Sequence, residues 1–212
     1  MSMPGRFITL EGIEGVGKST QLRFAAGRLR DAGLEVVVTR EPGGTPLAEA
    51  IRALVLDPRQ EAVDGISELL LMFASRSVHL ANLIEPSLAR GAWVLCDRFT
   101  DATEAYQGAG RGIPLEHIRA LEHIAQRGRR PDLTLLLDAP VEISTARRVQ
   151  RGGPGDRIES ERSEFFQRVR DGYLAIHARE PGRVMRIDAA GPVDAVESEV
   201  AAVLDRFLQG AR

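Results

Sequence analysis

Residues 6–20 read RFITLEGIEGVGKST, a short apolar run that breaks into a glycine-rich turn and then into Lys-Ser-Thr. Gly12, Ile13, Glu14, Gly15, Val16, Gly17, Lys18 and Ser19 satisfy G-x-x-x-x-G-K-[ST], with a predicted strand (6–11) before the motif and a predicted helix through Leu29 after it. The glycines let successive N–H groups turn toward one point, and the start of a helix adds its own partial positive charge there. Residues Gly12 to Thr20 are therefore expected to cradle the phosphates of ATP, with Lys18 reaching the β- and γ-phosphates and the Ser19 hydroxyl a ligand for Mg²⁺. Lys18 is the sole lysine among 28 basic residues; the rest are arginine. A chain that uses Arg elsewhere keeps Lys where a compact ammonium, rather than a planar fork, has to sit.

Outward from this loop, further apolar runs recur at 35–40 (EVVVTR), 92–98 (AWVLCDR), 131–138 (PDLTLLLD) and 183–188 (RVMRID), with helical patterns between them, the longest from 66 to 90. The runs are near-continuously apolar rather than alternating, which predicts strands covered on both faces. Helices between such strands imply right-handed crossovers and a parallel sheet. The expected fold is α/β: a three-layer P-loop NTPase fold, its five-stranded parallel sheet flanked by helices, with a short lid at about 146–161. All 212 residues are expected in one domain.

Composition narrows the partners. A net charge of −2 argues against coating nucleic acid or a membrane surface. The lone Cys96 excludes an internal disulfide and suits a reducing compartment, no stretch reads as a secretory signal, and no window has the apolar length of a membrane span. A cytoplasmic protein is expected.

In an open parallel sheet, ligands collect at the carboxyl ends of the strands, so the letters after each run carry the chemistry. After the third run come Asp97, placed to hold Mg²⁺, and Arg98, whose guanidinium offers a bidentate fork to an incoming phosphate. After the second, REPGGT supplies a tight turn flanked by Arg40 and Arg52. Phe73 and Arg76 lie one helical turn apart, and Thr103, Tyr106 and Gln107 follow the Asp-Arg pair; together they could line a base and sugar pocket. Arg147, Arg148, Arg151 and Arg157 crowd the 146–161 stretch, as in a lid that meets an anion. With no second lysine, the guanine-reading N-K-x-D element of a GTPase switch cannot exist, and nothing beyond LTLLLD supports a motor ATPase. A small phosphotransferase fits best; a P-loop nucleotide-binding regulator without an acceptor is the alternative from another class.

The blocks EGIEGVGKST, TREPGGTPLAE, CDRFTDATEAYQGAGRGI, RPDLTLLLD and GDRIE, in that order, resemble bacterial thymidylate kinases over essentially the whole chain. The resemblance implies transfer of the ATP γ-phosphoryl to dTMP with Mg²⁺, in a homodimer, with another nucleoside monophosphate as the runner-up acceptor. It implies that Arg98 grips the dTMP phosphate, Asp97 and Ser19 place the metal, and Glu11 and Glu41 lie near sugar and metal. Phe73 would stack on thymine, although many members carry that aromatic where Met72 stands here. Arg76, Thr103 and Gln107 would meet the base, Tyr106 would pack beside the sugar, Arg52 would flank the acceptor, and Arg151 would be the lid arginine at the transferring phosphoryl.

Overall fold

The computed structural model describes residues 5–57, 63–152, 157–158 and 161–211. In chain order it forms β1 (Phe7–Glu11), α1 (Lys18–Asp31), β2 (Val36–Arg40), α2 (Pro46–Leu56), α3 (Gly65–His79), α4 (Glu85–Ala89), β3 (Trp93–Asp97) and α5 (Thr100–Thr103). It continues with α6 (Leu115–Gln126), β4 (Leu133–Asp138), α7 (Val141–Arg151), α8 (Ser163–Arg179), β5 (Val184–Asp188) and α9 (Val193–Ala211). The strands make one five-stranded sheet in the order β2-β3-β1-β4-β5, every pair parallel. All five expected strands are present.

Alternation along the strands splits the core between two faces. On β3, Trp93 and Leu95 join a cluster with Ala25, Ala26 and Leu29 of α1, while Val94 and Cys96 join another with Leu80 and Ile84. Each large apolar side chain buried this way contributes about 1.5–3 kcal/mol. Burial on both faces holds for β1 and β4 throughout, but not for β2 and β5, where Val38 and Arg186 reach solvent. Those two strands border the sheet, so the helical layers overlap them only in part.

The long helix expected over 66–90 is interrupted. Asp64 caps α3, its Oδ1 accepting from the N–H groups of Ile66 and Ser67 at 2.8 and 3.0 Å. The chain then widens into a π-helical turn at Leu80–Ile84 before α4. Pro86 lacks the N–H that an α-helix needs to reach Asn82, and just before it the Glu85 N–H spans back to the Leu80 carbonyl. A second π-helical turn, Glu104–Gly110, follows α5. Such turns recur at functional sites because they re-aim consecutive side chains. Among the described residues no helix is long and apolar enough to cross a membrane.

The strand registers line up the chemistry. Leu10 and Arg40 both pair with Asp97, so Glu11, Arg98 and Glu41 emerge side by side just beyond the ladder. Two bonds continue it: Arg98 N–H to the Leu10 carbonyl at 3.0 Å, and Glu41 N–H to the Asp97 carbonyl at 2.9 Å.

Candidate active site

The P-loop lies between the central strand and α1. Its glycines are structural requirements: Gly15 has φ 87°, and a Cβ there would stand 2.2 Å from the Ser144 carbonyl oxygen of α7. Ile13 and Val16 are buried in the core and pin the loop, so only their backbones can face a phosphate. Helix α1 has no acidic residue in its first turn and no side-chain cap, which leaves its positive end to a ligand. The Lys18 ammonium folds back over the loop and donates to the carbonyls of Gly12 and Ile13, both at 3.0 Å. Burial, with Arg98 adding to it, brings its pKa down to about 8.

Two cavities meet at this point. One, of about 430 Å³, is lined by Gly15, Gly17, Lys18, Ser19 and Thr20 with Asp97, Arg147 and Arg148. The other, about 80 Å³, is lined by Glu41, Pro42, Met72, Ala102, Tyr106 and Ile158. Glu14, Arg52 and Arg98 border both. Glu14, expected on the triphosphate, has its carboxylate held between the two cavities, where it accepts from Arg98 Nη2 at 2.7 Å and from the Tyr106 hydroxyl at 2.6 Å. Its burial alone would raise its pKa, but Arg98, Lys18 and Tyr106 together hold it below the ordinary carboxylate range. Arg98 sits at φ 74°, unusual for a side-chain-bearing residue. It also donates to Tyr106 at 3.0 Å and Tyr173 at 2.9 Å and lies 4.8 Å over the Tyr106 ring. Arg52 donates to the Pro42 carbonyl at 2.8 Å, bracing the turn after β2.

Glu11 is fully buried, accepting from Phe99 N–H at 2.7 Å and from the Tyr173 hydroxyl at 2.8 Å. Burial pushes its carboxyl up to about 8, with Asp101 adding to the rise and Arg98 opposing it. The folded chain thus keeps a proton that the unfolded chain releases near 4.5. Where the native state binds more protons, stability falls as pH rises. Between about pH 5 and 8 the wild type should therefore lose Tm relative to Glu11→Gln, followed by thermal melts at stepped pH; parallel pH slopes for the two proteins would refute a neutral Glu11.

The wall of the second cavity separates Met72 from Phe73. Phe73 is buried at 3% exposure in a cluster with Leu69, Ile113 and Ile118, and Met72 is the residue that lines the cavity. Neighbours on a helix point about 100° apart, so one of the two faces the cleft and the other the core. The Phe73 ring instead supports Arg76, whose guanidinium carbon lies 4.9 Å from the ring centroids of both Phe73 and Phe99. Arg76 is buried and donates to Glu41 Oε2 at 2.7 Å, the Phe99 carbonyl at 3.1 Å and Thr103 Oγ1 at 3.0 Å. Gln107 donates to Glu68 Oε1 at 2.7 Å. Among the described residues, Arg76 Nη1, Gln107 Oε1 and Asp97 Oδ1 are buried without a partner. Such atoms are costly unless something else meets them.

The lid arginines are more occupied than their crowding implied. Arg147 donates to the carbonyls of Ala189, Ala190 and Gly191 at 2.6, 3.0 and 3.0 Å, which ties α7 to the loop after β5. Arg148 stacks 4.8 Å over Phe166. Arg157 pairs with Glu68. Arg147 and Arg157 thus have internal acceptors, while Arg148 also lines the P-loop cavity. The Arg151 side chain and residues 153–156 and 159–160 of the expected lid lie outside the described residues.

Glu68, His79 and Tyr173 were not singled out in the sequence, yet all three are buried within these polar networks. The signal for the first two was there: Glu68, Met72, Arg76 and His79 follow helical spacing, with charged and polar letters set into an otherwise apolar stretch.

A family model for thymidylate kinase matches residues 10–200. The chain belongs to the thymidylate kinase family. It is 59% identical over 206 residues to the thymidylate kinase of Chromohalobacter salexigens, covering 97% of each chain. It is 57% identical over 207 residues to that of Methylococcus capsulatus, covering 98% of each. Among solved structures, thymidylate kinase from Ehrlichia chaffeensis superposes with a TM-score of 0.77 at 36% identity, covering 95% of this chain and 100% of that one.

Proposed function

We propose that this chain transfers the γ-phosphoryl group of ATP to dTMP, yielding dTDP, with the P-loop cavity as donor site and the adjoining cavity as acceptor site. The observation that carries the residue assignment is that the two cavities share Arg98, Glu14 and Arg52. An acceptor phosphate held by the Arg98 fork would stand next to the triphosphate over Lys18. Arg76 Nη1 and Gln107 Oε1, both buried and unpartnered, suit a base with one acceptor edge and one donor edge. Met72 is assigned to the base face, backed by the Phe73–Arg76 pair. Thr103 fixes Arg76, while Tyr106 crowds the sugar and keeps Arg98 aimed.

The residues present suit magnesium: Asp97 Oδ1 is buried without a partner, and Ser19 lines the same cavity. When bound, the ion would neutralise charge on the phosphates. The rest is positioning and electrostatics by this chain's own groups. Lys18 and the α1 N-terminus stabilise the equatorial oxygens, and Arg98 presents the nucleophilic phosphate oxygen in line. A phosphate monoester is already a competent nucleophile at neutral pH, so no strong general base is required.

We assign the whole chain to one domain, since a single sheet carries both cavities. The buried free thiol of Cys96 suits the cytoplasm. A second copy of the chain is the proposed partner. Helices α2 and α3 pack together and leave Leu47, Leu54, Ile66 and Leu70 between 47% and 59% exposed, apolar surface of the kind a homodimer covers.

The test is ADP production from Mg·ATP against dTMP, dUMP, UMP, CMP, AMP, GMP and no acceptor. Turnover with dTMP, weaker turnover with dUMP and little with the others is expected. Preference for another monophosphate would discard the base assignments of Met72, Arg76 and Gln107. Hydrolysis without an acceptor would favour the regulator.

A further inference from the structure

We infer that His79 is a positioning residue for acceptor recognition: it orients Glu41, which in turn aims the Arg76 guanidinium at the base. The inference rests on the reading of Arg76 as the residue that meets the base.

His79 is fully buried on α3, three residues beyond Arg76. Its Nδ1 lies 3.0 Å from Glu41 Oε1, and its Nε2 lies 2.7 Å from Thr39 Oγ1. The other Glu41 oxygen accepts from Arg76 Nε at 2.7 Å. Thr39, His79, Glu41 and Arg76 therefore form one continuous chain running from the sheet edge to the acceptor cavity, which Glu41 lines. A carboxylate only accepts, so the Nδ1 position must carry hydrogen, and the Thr39 hydroxyl suits whichever role Nε2 takes. Arg76 Nε and Nη2 are both held, which leaves Nη1 as its buried, unpartnered nitrogen. A planar fork held at two corners has its third corner aimed.

The surroundings leave the imidazole little freedom. Gly44, at φ 88°, passes so close that a Cβ would stand 2.5 Å from His79 Nε2. Without the imidazole, Glu41 would keep Arg76 as its sole side-chain partner among those described, and its carboxylate could rotate. The fork would then lose its fixed direction while the P-loop stays intact.

The experiment is steady-state kinetics on His79→Leu and His79→Asn, with Tm recorded for each. Leucine keeps apolar volume and removes both bonds. The Asn amide can restore a donor where Nδ1 stood. For His79→Leu, KM for dTMP should rise about tenfold, as for one lost charge-assisted hydrogen bond. In the same variant kcat should stay within about threefold, KM for ATP should be unchanged, and the preference for dTMP over dCMP should shrink. His79→Asn should recover most of the loss. A dTMP KM within twofold of wild type, an equal rise in KM for ATP, or Asn no better than Leu would each overturn the inference. Should His79→Leu fail to fold, Thr39→Val leaves the imidazole in the core and removes only its outer anchor. A dTMP KM raised about threefold is expected there, and an unchanged one overturns the relay. Arg76→Ala keeps the two readings apart. If it leaves dTMP KM unchanged, the base assignment falls; if it raises KM while the His79 variants do not, the relay alone falls.

Discussion

Lys18→Arg should lower kcat by more than about 10², the loss expected when a preorganised charge contact at the transition state is removed. Lys18 is buried at the turn from loop to helix, and its ammonium already sits within 3.0 Å of two loop carbonyls, in a space shaped for a point charge. A guanidinium is larger and planar and cannot occupy that position without displacing Gly12 or Ile13. Because burial and Arg98 bring the Lys18 pKa down to about 8, the assay belongs near pH 7, where the ammonium is charged. The measurement is kcat at saturating ATP and dTMP, with Tm as the folding control. A folded variant that loses less than threefold would remove Lys18 from charge stabilisation. It would also leave the chain's single lysine without an explanation.

The second large effect is expected at Arg98. Arg98→Ala should raise KM for dTMP by about 10² or more, since truncating one member of a buried charge pair costs about 2–5 kcal/mol. KM for ATP should move far less. Part of the loss could come from stranding Glu14, which depends on Arg98 Nη2 at 2.7 Å to remain a buried carboxylate. The double variant Arg98→Ala/Glu14→Gln removes that stranded charge. If the dTMP defect persists there, Arg98 itself holds the acceptor. If dTMP KM returns to wild type in the double variant, or never rises in the single one, Arg98 is not the acceptor's anchor.

The same loop shows where one-dimensional reading stopped. The glycine-rich turn between β1 and α1 was legible because the motif, the strand before it and the helix after it are all local. What was not legible is where the Glu14 carboxylate is held, at the border of the two cavities. Its direction is decided by Arg98 and Tyr106, which lie 84 and 92 residues along the chain. Phe73 and Met72 pose the same problem on a helix. Both letters are apolar, and only the packing of Leu69, Ile113 and Ile118 around Phe73 decides which of them the cleft receives.

Charge followed a similar pattern. The arginines of 146–161 read as a cluster awaiting an anion, yet Arg147 is met by three carbonyls beyond β5 and Arg157 by Glu68 on α3. No count of residue types can reveal such acceptors, because they come from elements far apart in the chain.

The sequence by itself determined the parallel sheet, the glycine-rich turn before α1, the Asp97-Arg98 pair at the carboxyl end of β3 and the family. Each depends on apolar runs, or on spacings within a single turn, that local sterics and hydrogen bonding enforce. Tertiary structure alone decided which oxygen of Glu41 serves Arg76 and which serves His79, where the Glu14 carboxylate is held, and which residue of α3 lines the second cavity. Those outcomes depend on desolvation and on partners brought together from separate strands, and a buried polar group takes its direction from whichever partner satisfies it.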